Sequence, residues 1–416
     1  MMLTLIHWIR RNRRASLVLA ATIIVLVQLT LWKCDGDEMD TMPPILETSV
    51  IHSTPATLNF TPPFHAKGRH ILDAKGVPLK LASLNWYGAS DTDFVPGGLE
   101  VQHRDAIAAV IRDLGFNSVR LPYADEIVMN NPVIEPSVIA ANLDLFSNGS
   151  LSEDHTSVRA LDVFHAVVES LTAAGLLVIV NNHITQATWC CGINPCDLSW
   201  KNDWFGADIL CTVSQTEEQW IRNWETVMAP LVSNPLVMGA DLRNEVRGLW
   251  GTMHWGEWAD AAEKASERLL AMNPEWLIFV EGISSANDLS GVRKRPWSGW
   301  GSLKPFSGRT YEDFAATMWK NWGYLLTEEI APVWVGEFGT PDTPSEGDQN
   351  YWCHLMRYLH AVDASWGYWA LNARKATGEW ESYGLVGDEW DWSSVRRDYR
   401  LKDLQRLGKQ ALPAEH

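Results

Sequence analysis

The chain has 416 residues, of which 46% are hydrophobic and 20% are charged, a balance that excludes a disordered chain and predicts a sizeable core. Its net charge is -17; residues 1–33 hold five basic residues and no acid, so the remainder carries -17 - 5 = -22. A surface this acidic argues against nucleic acid or an anionic membrane as the ligand, whereas a neutral ligand suits it.

The N-terminus has the pattern of a membrane anchor. Residues 1–14 form a basic tail, and residues 15–32 are uncharged throughout, which is near the lower length limit for a helix that spans a bilayer. The basic flank stays cytoplasmic, so we predict a single-pass signal-anchor with the bulk of the chain extracellular or lumenal. Secretion after signal cleavage is the alternative, but no small-residue cleavage site follows the apolar run.

Two segments follow the predicted span. Residues 33–63 are rich in Thr, Pro and acidic residues without any period, which predicts a flexible stalk. Residues 64–408 alternate strand-like and helix-like runs and form the predicted folded domain. Two glycosylation sequons, Asn59-Phe-Thr61 and Asn148-Gly-Ser150, are usable only on a lumenal side and support this topology weakly.

Four of the six cysteines lie in one patch, at Cys190, Cys191, Cys196 and Cys211. In an exported protein this predicts one or two disulfides that staple a loop, with a pairing that the sequence does not define. A metal site is the alternative, but the spacings fit no standard zinc motif. We therefore predict no metal ion and no other cofactor.

Seven apolar runs of strand type alternate with helical segments in the folded domain. They cover residues 81–86, 118–122, 176–182, 237–243, 276–281, 333–337 and 366–371, after a small hairpin around Gly76. Helices are predicted at 101–114, 159–174, 216–231, 255–272, 311–328 and 351–364. This alternation predicts a parallel sheet and, at this length, an α/β fold of the TIM-type (β/α)₈ barrel. A doubly wound open sheet is weakened by the lack of a glycine-rich loop after the first strand.

The strand count is one short of eight. Residues 282–304 stand where a sixth strand belongs, but they are rich in Ser, Gly, Asn, Arg and Pro, with no β-rich run. A barrel without one strand has two unpaired edges, and each buried unpaired backbone group costs about 1–3 kcal/mol. We therefore expect either a gap between the strands at 276–281 and 333–337 or their direct pairing.

Polar and aromatic side chains stand at the carboxyl ends of these strands, where barrels place their catalytic groups. They are Asn85, Trp86, Arg120, His183, Asn244, Glu245, Glu337 and Trp369. Each alone has a structural explanation, such as a cap, an ion pair or a packed ring. Two glutamates on one rim suit acid/base and nucleophilic chemistry. The chain also has 23 tryptophans, whose flat rings could line a cleft and stack on the C–H faces of sugars.

These motifs resemble glycoside hydrolase family 5, the cellulase-type barrels, over about residues 79–403. The matching stretches are Arg120-Leu-Pro, Asn181-Asn-His183, Asp241-Leu-Arg-Asn-Glu245, Trp334-Val-Gly-Glu337-Phe-Gly and Gly367-Tyr-Trp369. The resemblance implies a retaining glycosidase, with Glu245 as the general acid/base and Glu337 as the nucleophile, their carboxyl groups roughly 5–5.5 Å apart. The implied substrate is a β-linked polysaccharide or oligosaccharide.

The resemblance also implies the roles of the remaining residues. Asn244 binds the sugar 2-hydroxyl, Arg120 lies beneath Glu337, His183 positions the sugar, and Trp369 is the platform under its ring. Asn85 and Trp86, at the end of the first strand, are expected at the same mouth.

Two departures from the family pattern bear on activity. Val246 replaces a proline, and the sixth strand with its His-x-Tyr pair has no counterpart between Glu281 and Pro332. An internally truncated chain, as from a mis-spliced gene, is favoured over a variant that lost activity. Because the His-x-Tyr pair is missing, a catalytically impaired glycan-binding membrane protein is the alternative function. Metal-dependent hydrolysis through the cysteine patch and His183 is a third.

Overall fold

The computed structural model describes residues 60–147, 157–191, 194–248, 253–293 and 309–409. Its strands are β1 (His65–Lys67), β2 (His70–Leu72), β3 (Pro78–Leu79), β4 (Ala82–Asn85), β5 (Ser118–Ala124), β6 (Leu177–Ile184), β7 (Val237–Asp241), β8 (Leu277–Phe279), β9 (Trp334–Phe338) and β10 (Ser365–Tyr368). Its helices are α1 (Arg104–Asp113), α2 (Asp125–Met129), α3 (Asp144–Ser147), α4 (Ala160–Ala173), α5 (Ala207–Leu210), α6 (Glu217–Met228), α7 (Trp255–Met272), α8 (Tyr311–Met318), α9 (Tyr324–Thr327), α10 (Glu346–Val362) and α11 (Tyr399–Lys409).

Seven strands form one parallel sheet in the order β8-β7-β6-β5-β4-β10-β9. Neighbours in the sheet follow the chain in one direction from β4 to β8. On the other side of β4, β10 pairs with β4 and β9 pairs with β10. A doubly wound sheet reverses its strand order, so this arrangement has the winding of a (β/α)₈ barrel. All seven predicted strands are present, within a few residues of the predicted bounds.

The predicted gap lies between β8 and β9, the two ends of the sheet. In the part of the chain that the structure describes, no hydrogen-bonded ladder joins them. Side chains meet across the gap instead, since the rings of Phe279 and Trp334 lie 5.2 Å apart in an edge-on contact. β5, β6 and β7 are buried throughout, whereas every residue of β8 is only half-buried. β9 is half-buried at all its residues except Phe338, so both edge strands are less buried than the interior strands.

A small antiparallel sheet of β1, β2 and β3 precedes the barrel. The turn at Gly76, with φ +77°, joins the predicted hairpin of β2 and β3, and β1 adds a strand that the sequence did not predict. Phe64, Ile71 and Leu79 pack on Leu177 and Met238 of the barrel strands. This apolar contact closes the lower end of the barrel core.

Most predicted helices are confirmed, with two differences. α10 begins at Glu346, five residues before the predicted start, because Ser345 and Asp348 form a capping box that stabilises the extra turn. The helix predicted at 311–328 is instead α8 and α9 joined by a π-helical segment, Trp319–Gly323.

The predicted cytoplasmic tail, membrane span and most of the stalk lie outside the described residues, as do Asn59 and Asn148 of the two sequons. Among the helices that the structure does describe, none combines the length and apolar character needed to cross a bilayer.

Candidate active site

A cavity of about 220 Å³ opens at the carboxyl ends of the barrel strands. Its walls are Tyr87, Ser90, Asp91, His183, Thr188, Trp189, Cys190, Cys191, Glu245, Glu337 and Trp369. Four residues predicted from the sequence therefore meet in one cavity, because parallel strands end at the same edge of the sheet.

The two glutamates reach the cavity from different strands. Glu337 lies within β9, and 27% of its side chain is exposed. Glu245 lies four residues beyond the end of β7, with 31% of its side chain exposed and a left-handed φ of +47°. A non-glycine residue adopts this backbone conformation at a cost, so surrounding contacts must hold Glu245 in place.

A buried arginine lies beneath Glu337, as expected. Arg120 donates from Nη1 to Glu337 Oε1 and from Nε to Asp241 Oδ2, 2.7 Å away. Its Nη2 donates to Glu281 Oε1 and to Asn244 Oδ1, each at 2.9 Å. One guanidinium thus donates to three carboxyl groups and to the amide oxygen of Asn244. A guanidinium can do this because it has five N–H donors in one plane.

The surroundings move the pKa values of the catalytic candidates. Burial and the nearby Glu337 raise the pKa of Glu245 to about 7. Burial also raises the pKa of Glu337, but the charge and hydrogen bond of Arg120 oppose that rise. Burial, followed by the charge of Arg120, holds the pKa of His183 well below 6.5. Glu245 therefore retains a proton close to neutral pH, and His183 is neutral there.

Aromatic rings stack along one side of the cavity. The ring of Trp369 lies parallel to those of Tyr87, at 4.8 Å, and His183, at 5.5 Å. Nδ1 of His183 lies 3.0 Å from Asn181 Oδ1 and 3.8 Å from Glu337 Oε1. Trp189 contacts Tyr87 edge-on and is 44% exposed, so its ring presents accessible apolar surface to a ligand.

The cysteine patch forms two disulfides, Cys190–Cys191 and Cys196–Cys211. The first lies in the cavity wall, where the two Sγ atoms are 3.6 and 3.4 Å from Nδ2 of Asn244. His183 and these two sulfurs are close enough together to suggest a metal site. The disulfide removes both thiolates as ligands, so the donor set does not fit a metal ion.

The expectation for Asn85 and Trp86 needs correction. Neither lines the cavity, and both are fully buried. Asn85 donates to the carbonyls of Gly336 and Tyr368 and accepts from Arg120, so it joins strands beneath the site. Trp86 donates from Nε1 to the carbonyl of Gly97. Their polar atoms are occupied by the protein, which leaves them no contact to offer a ligand.

Sequence reasoning missed Tyr87, Asp91, Trp189 and Glu281. Tyr87 follows Trp86 directly, and the alternation of side chains along an extended chain offered a signal for it. Asp91 and Trp189 lie in loops without a period. Glu281 ends a predicted strand, as Glu337 does, and Glu245 stands two residues beyond another, so that position was a usable signal.

The chain is similar to known proteins of one family. Residues 72–375 match the profile of Cellulase (glycosyl hydrolase family 5). An endoglucanase of Paenibacillus polymyxa is 26% identical over 85% of this chain and 89% of its own length. The major extracellular endoglucanase of Xanthomonas campestris pv. campestris is 26% identical over 79% of this chain and 68% of its own.

Solved structures share the fold. The catalytic domain of the Xanthomonas campestris endoglucanase superposes with a TM-score of 0.65 at 24% identity, covering 83% of this chain and 99% of the other. An endocellulase of Pyrococcus horikoshii in complex with cellotetraose gives 0.65 at 21% identity, with the same coverage. The profile match spans most of the folded domain, and this chain belongs to glycosyl hydrolase family 5, as a glycoside hydrolase that acts on O-glycosyl compounds.

Proposed function

We propose that the protein cleaves β-glycosidic bonds of a glucan-type polysaccharide by double displacement, with retention of configuration. The observation that carries this proposal is the pair Glu245 and Glu337 in one cavity, with the proton held by Glu245 and the arginine placed under Glu337. Two carboxyl groups in unequal surroundings are what a general acid and a nucleophile require.

In the first step, the carboxylate of Glu337 attacks the anomeric carbon while Glu245 gives its proton to the leaving glycosidic oxygen. This forms a glycosyl ester on Glu337 and releases the first product. In the second step, Glu245 takes a proton from water, and the oxygen of that water attacks the anomeric carbon and displaces Glu337. Neutral His183 lies beside Glu337 and Trp369, where it can position the reacting sugar.

A β-linked glucan suits the surroundings of the site. The relatives are endoglucanases, and one solved neighbour holds cellotetraose. A neutral chain of sugars is not repelled by the acidic surface, and the exposed ring of Trp189 offers a stacking surface for a pyranose.

The test is hydrolysis by the full-length protein of cellulose-type, laminarin and mannan substrates, with Glu245→Gln and Glu337→Gln as paired variants. We expect release of sugar from a β-glucan by the wild type and its loss in both variants. External azide should restore turnover of an activated aryl glycoside by Glu245→Ala, with a β-glycosyl azide as the product. Activity that survives both substitutions would exclude this site.

The gap between β8 and β9 favours a second candidate, a glycan-binding membrane protein with impaired catalysis. Glu337 lies on β9, an edge strand, and the tyrosine that the family pattern places beside the nucleophile has no counterpart in the sequence between Glu281 and Pro332. This candidate predicts retention of cellotetraose without cleavage. Equilibrium binding measured beside hydrolysis separates the two functions.

We further propose that residues 15–32 anchor the protein in a bilayer, with residues 1–14 cytoplasmic. The uncharged run and its basic flank support this proposal. Extraction of cell membranes with alkaline carbonate should leave the protein in the pellet. Recovery in the culture medium of a chain that lacks residues 1–32 would favour a cleaved signal peptide.

A further inference from the structure

The carboxyl group of Glu281 links Arg120, which lies beneath Glu337, to the backbone of Glu245. It lies two residues beyond β8, and its side chain is only 16% exposed. Oε1 accepts from Arg120 Nη2 at 2.9 Å, and Oε2 accepts from the backbone N–H of Glu245 at 2.8 Å. Its own backbone carbonyl accepts from Trp258 Nε1 at 2.9 Å, which fixes this part of the chain against α7.

The backbone after β7 depends on such contacts. The N–H of Leu242 donates to the carbonyl of Phe279, and the N–H of Asn244 donates to the carbonyl of Asn182. At Glu245 the backbone turns left-handed, and in the described part of the chain the carboxyl of Glu281 is the acceptor for its N–H. This hydrogen bond holds the amide side of the turn, and Arg247 holds the other side by donating from Nη1 to the Glu245 carbonyl at 2.9 Å. The direction in which the Glu245 side chain leaves the backbone therefore depends on both contacts.

From this geometry we infer that Glu281 is a positioning residue that holds the general acid/base Glu245 in its productive orientation. The inference rests on the proposed function and deepens it. Arg120 keeps several other acceptors when Glu281 is changed, whereas the N–H of Glu245 loses the acceptor described above. The effect of removing this acceptor therefore falls on the acid rather than on the nucleophile.

Protonation does not remove this role. Burial and the neighbouring Asp241 raise the pKa of Glu281 well above its ordinary range. A protonated carboxyl still has lone pairs on both oxygens, so it can accept from both N–H donors. A glutamine has the same shape and no charge, but its amide nitrogen accepts no hydrogen bond. In Glu281→Gln only the amide oxygen can accept, so one of the two N–H donors, from Arg120 or from Glu245, must face the amide nitrogen. The size of the side chain stays unchanged.

The dependence on the leaving group tests the inference. Cleavage of cellotetraose needs a proton from Glu245, whereas dinitrophenolate leaves dinitrophenyl β-cellobioside without one. For the full-length Glu281→Gln protein we expect kcat/KM for cellotetraose to fall at least about tenfold, and that for the aryl glycoside to fall less than about threefold. Glu281→Asp retains two acceptor oxygens and should give an intermediate loss.

Glu275→Gln is the matched control, since this exposed glutamate precedes the same strand, and it should leave both substrates unaffected. Thermal unfolding of each variant identifies any loss of folded protein. An equal fall for both substrates, or no fall for either, would overturn the inference while leaving the proposed function intact. A wild type that turns over neither substrate would overturn both, because a positioning role requires the reaction.

Discussion

Replacing Glu245 by glutamine should make the protein more stable at alkaline pH while removing its activity. The ordinary pKa of this carboxyl is 4.5, and burial beside Glu337 raises it to about 7, a difference of 7 - 4.5 = about 2.5. At about 1.4 kcal/mol per pH unit, this corresponds to about 3.5 kcal/mol. We reduce the figure to about 2 kcal/mol, because 31% of the side chain is exposed to screening solvent.

The sign follows from proton binding. Between pH 4.5 and 7 the folded protein holds a proton on Glu245 that the unfolded chain has lost, so stability falls as the pH rises through this window. The loss of stability from ionising Glu245 in the folded protein is absent below pH 4.5 and complete above pH 7. Glutamine, which never ionises, should therefore leave the free energy of unfolding unchanged at about pH 4 and raise it by about 2 kcal/mol at about pH 8.

Urea unfolding followed by tryptophan fluorescence at these two pH values measures the effect, with disulfides kept intact. Glu275→Gln, at an exposed site, is the control and should behave as the wild type at both. The same stabilisation at both pH values, or none at alkaline pH, would contradict the prediction. Such a result would mean that the cavity does not disfavour the charge of Glu245.

Three further outcomes are expected. Trp189→Ala should weaken cellotetraose binding about threefold to tenfold, because the sugar loses its contact with the ring. Trp392→Ala removes a ring of similar exposure that lies outside the cavity, and it should leave binding unchanged. Fluorescence titration with cellotetraose measures both. Arg120→Lys should lower the free energy of unfolding by at least about 2 kcal/mol in urea, since one ammonium cannot serve all the buried acceptors of the guanidinium. Replacing Cys196 and Cys211 by serine should lower the free energy of unfolding in urea by about 3 kcal/mol, because this disulfide closes a loop over a sequence separation of 15. An unchanged urea midpoint would contradict this prediction.

The order of strands and helices could be predicted because its determinants are local. Apolar runs of strand length alternate with amphipathic segments, and the winding of parallel strands then brings their carboxyl ends to one mouth. Glu245, Glu337 and His183 were predictable as members of one site for that reason. The gap before β9 was also visible, since no run of β-forming residues stands at 282–304.

Local sequence patterns are enough to identify the residues at strand ends, whereas tertiary contacts select the ones that face the cavity. Trp86 and Tyr87 are neighbours of similar character, yet Trp86 packs behind the wall and Tyr87 forms part of it. Glu281 and Glu245 both follow strands, yet one carboxyl points at a backbone N–H and the other into the cavity. The direction of a side chain beyond a strand end depends on the backbone turn and on partners from distant segments, and no local pattern encodes either.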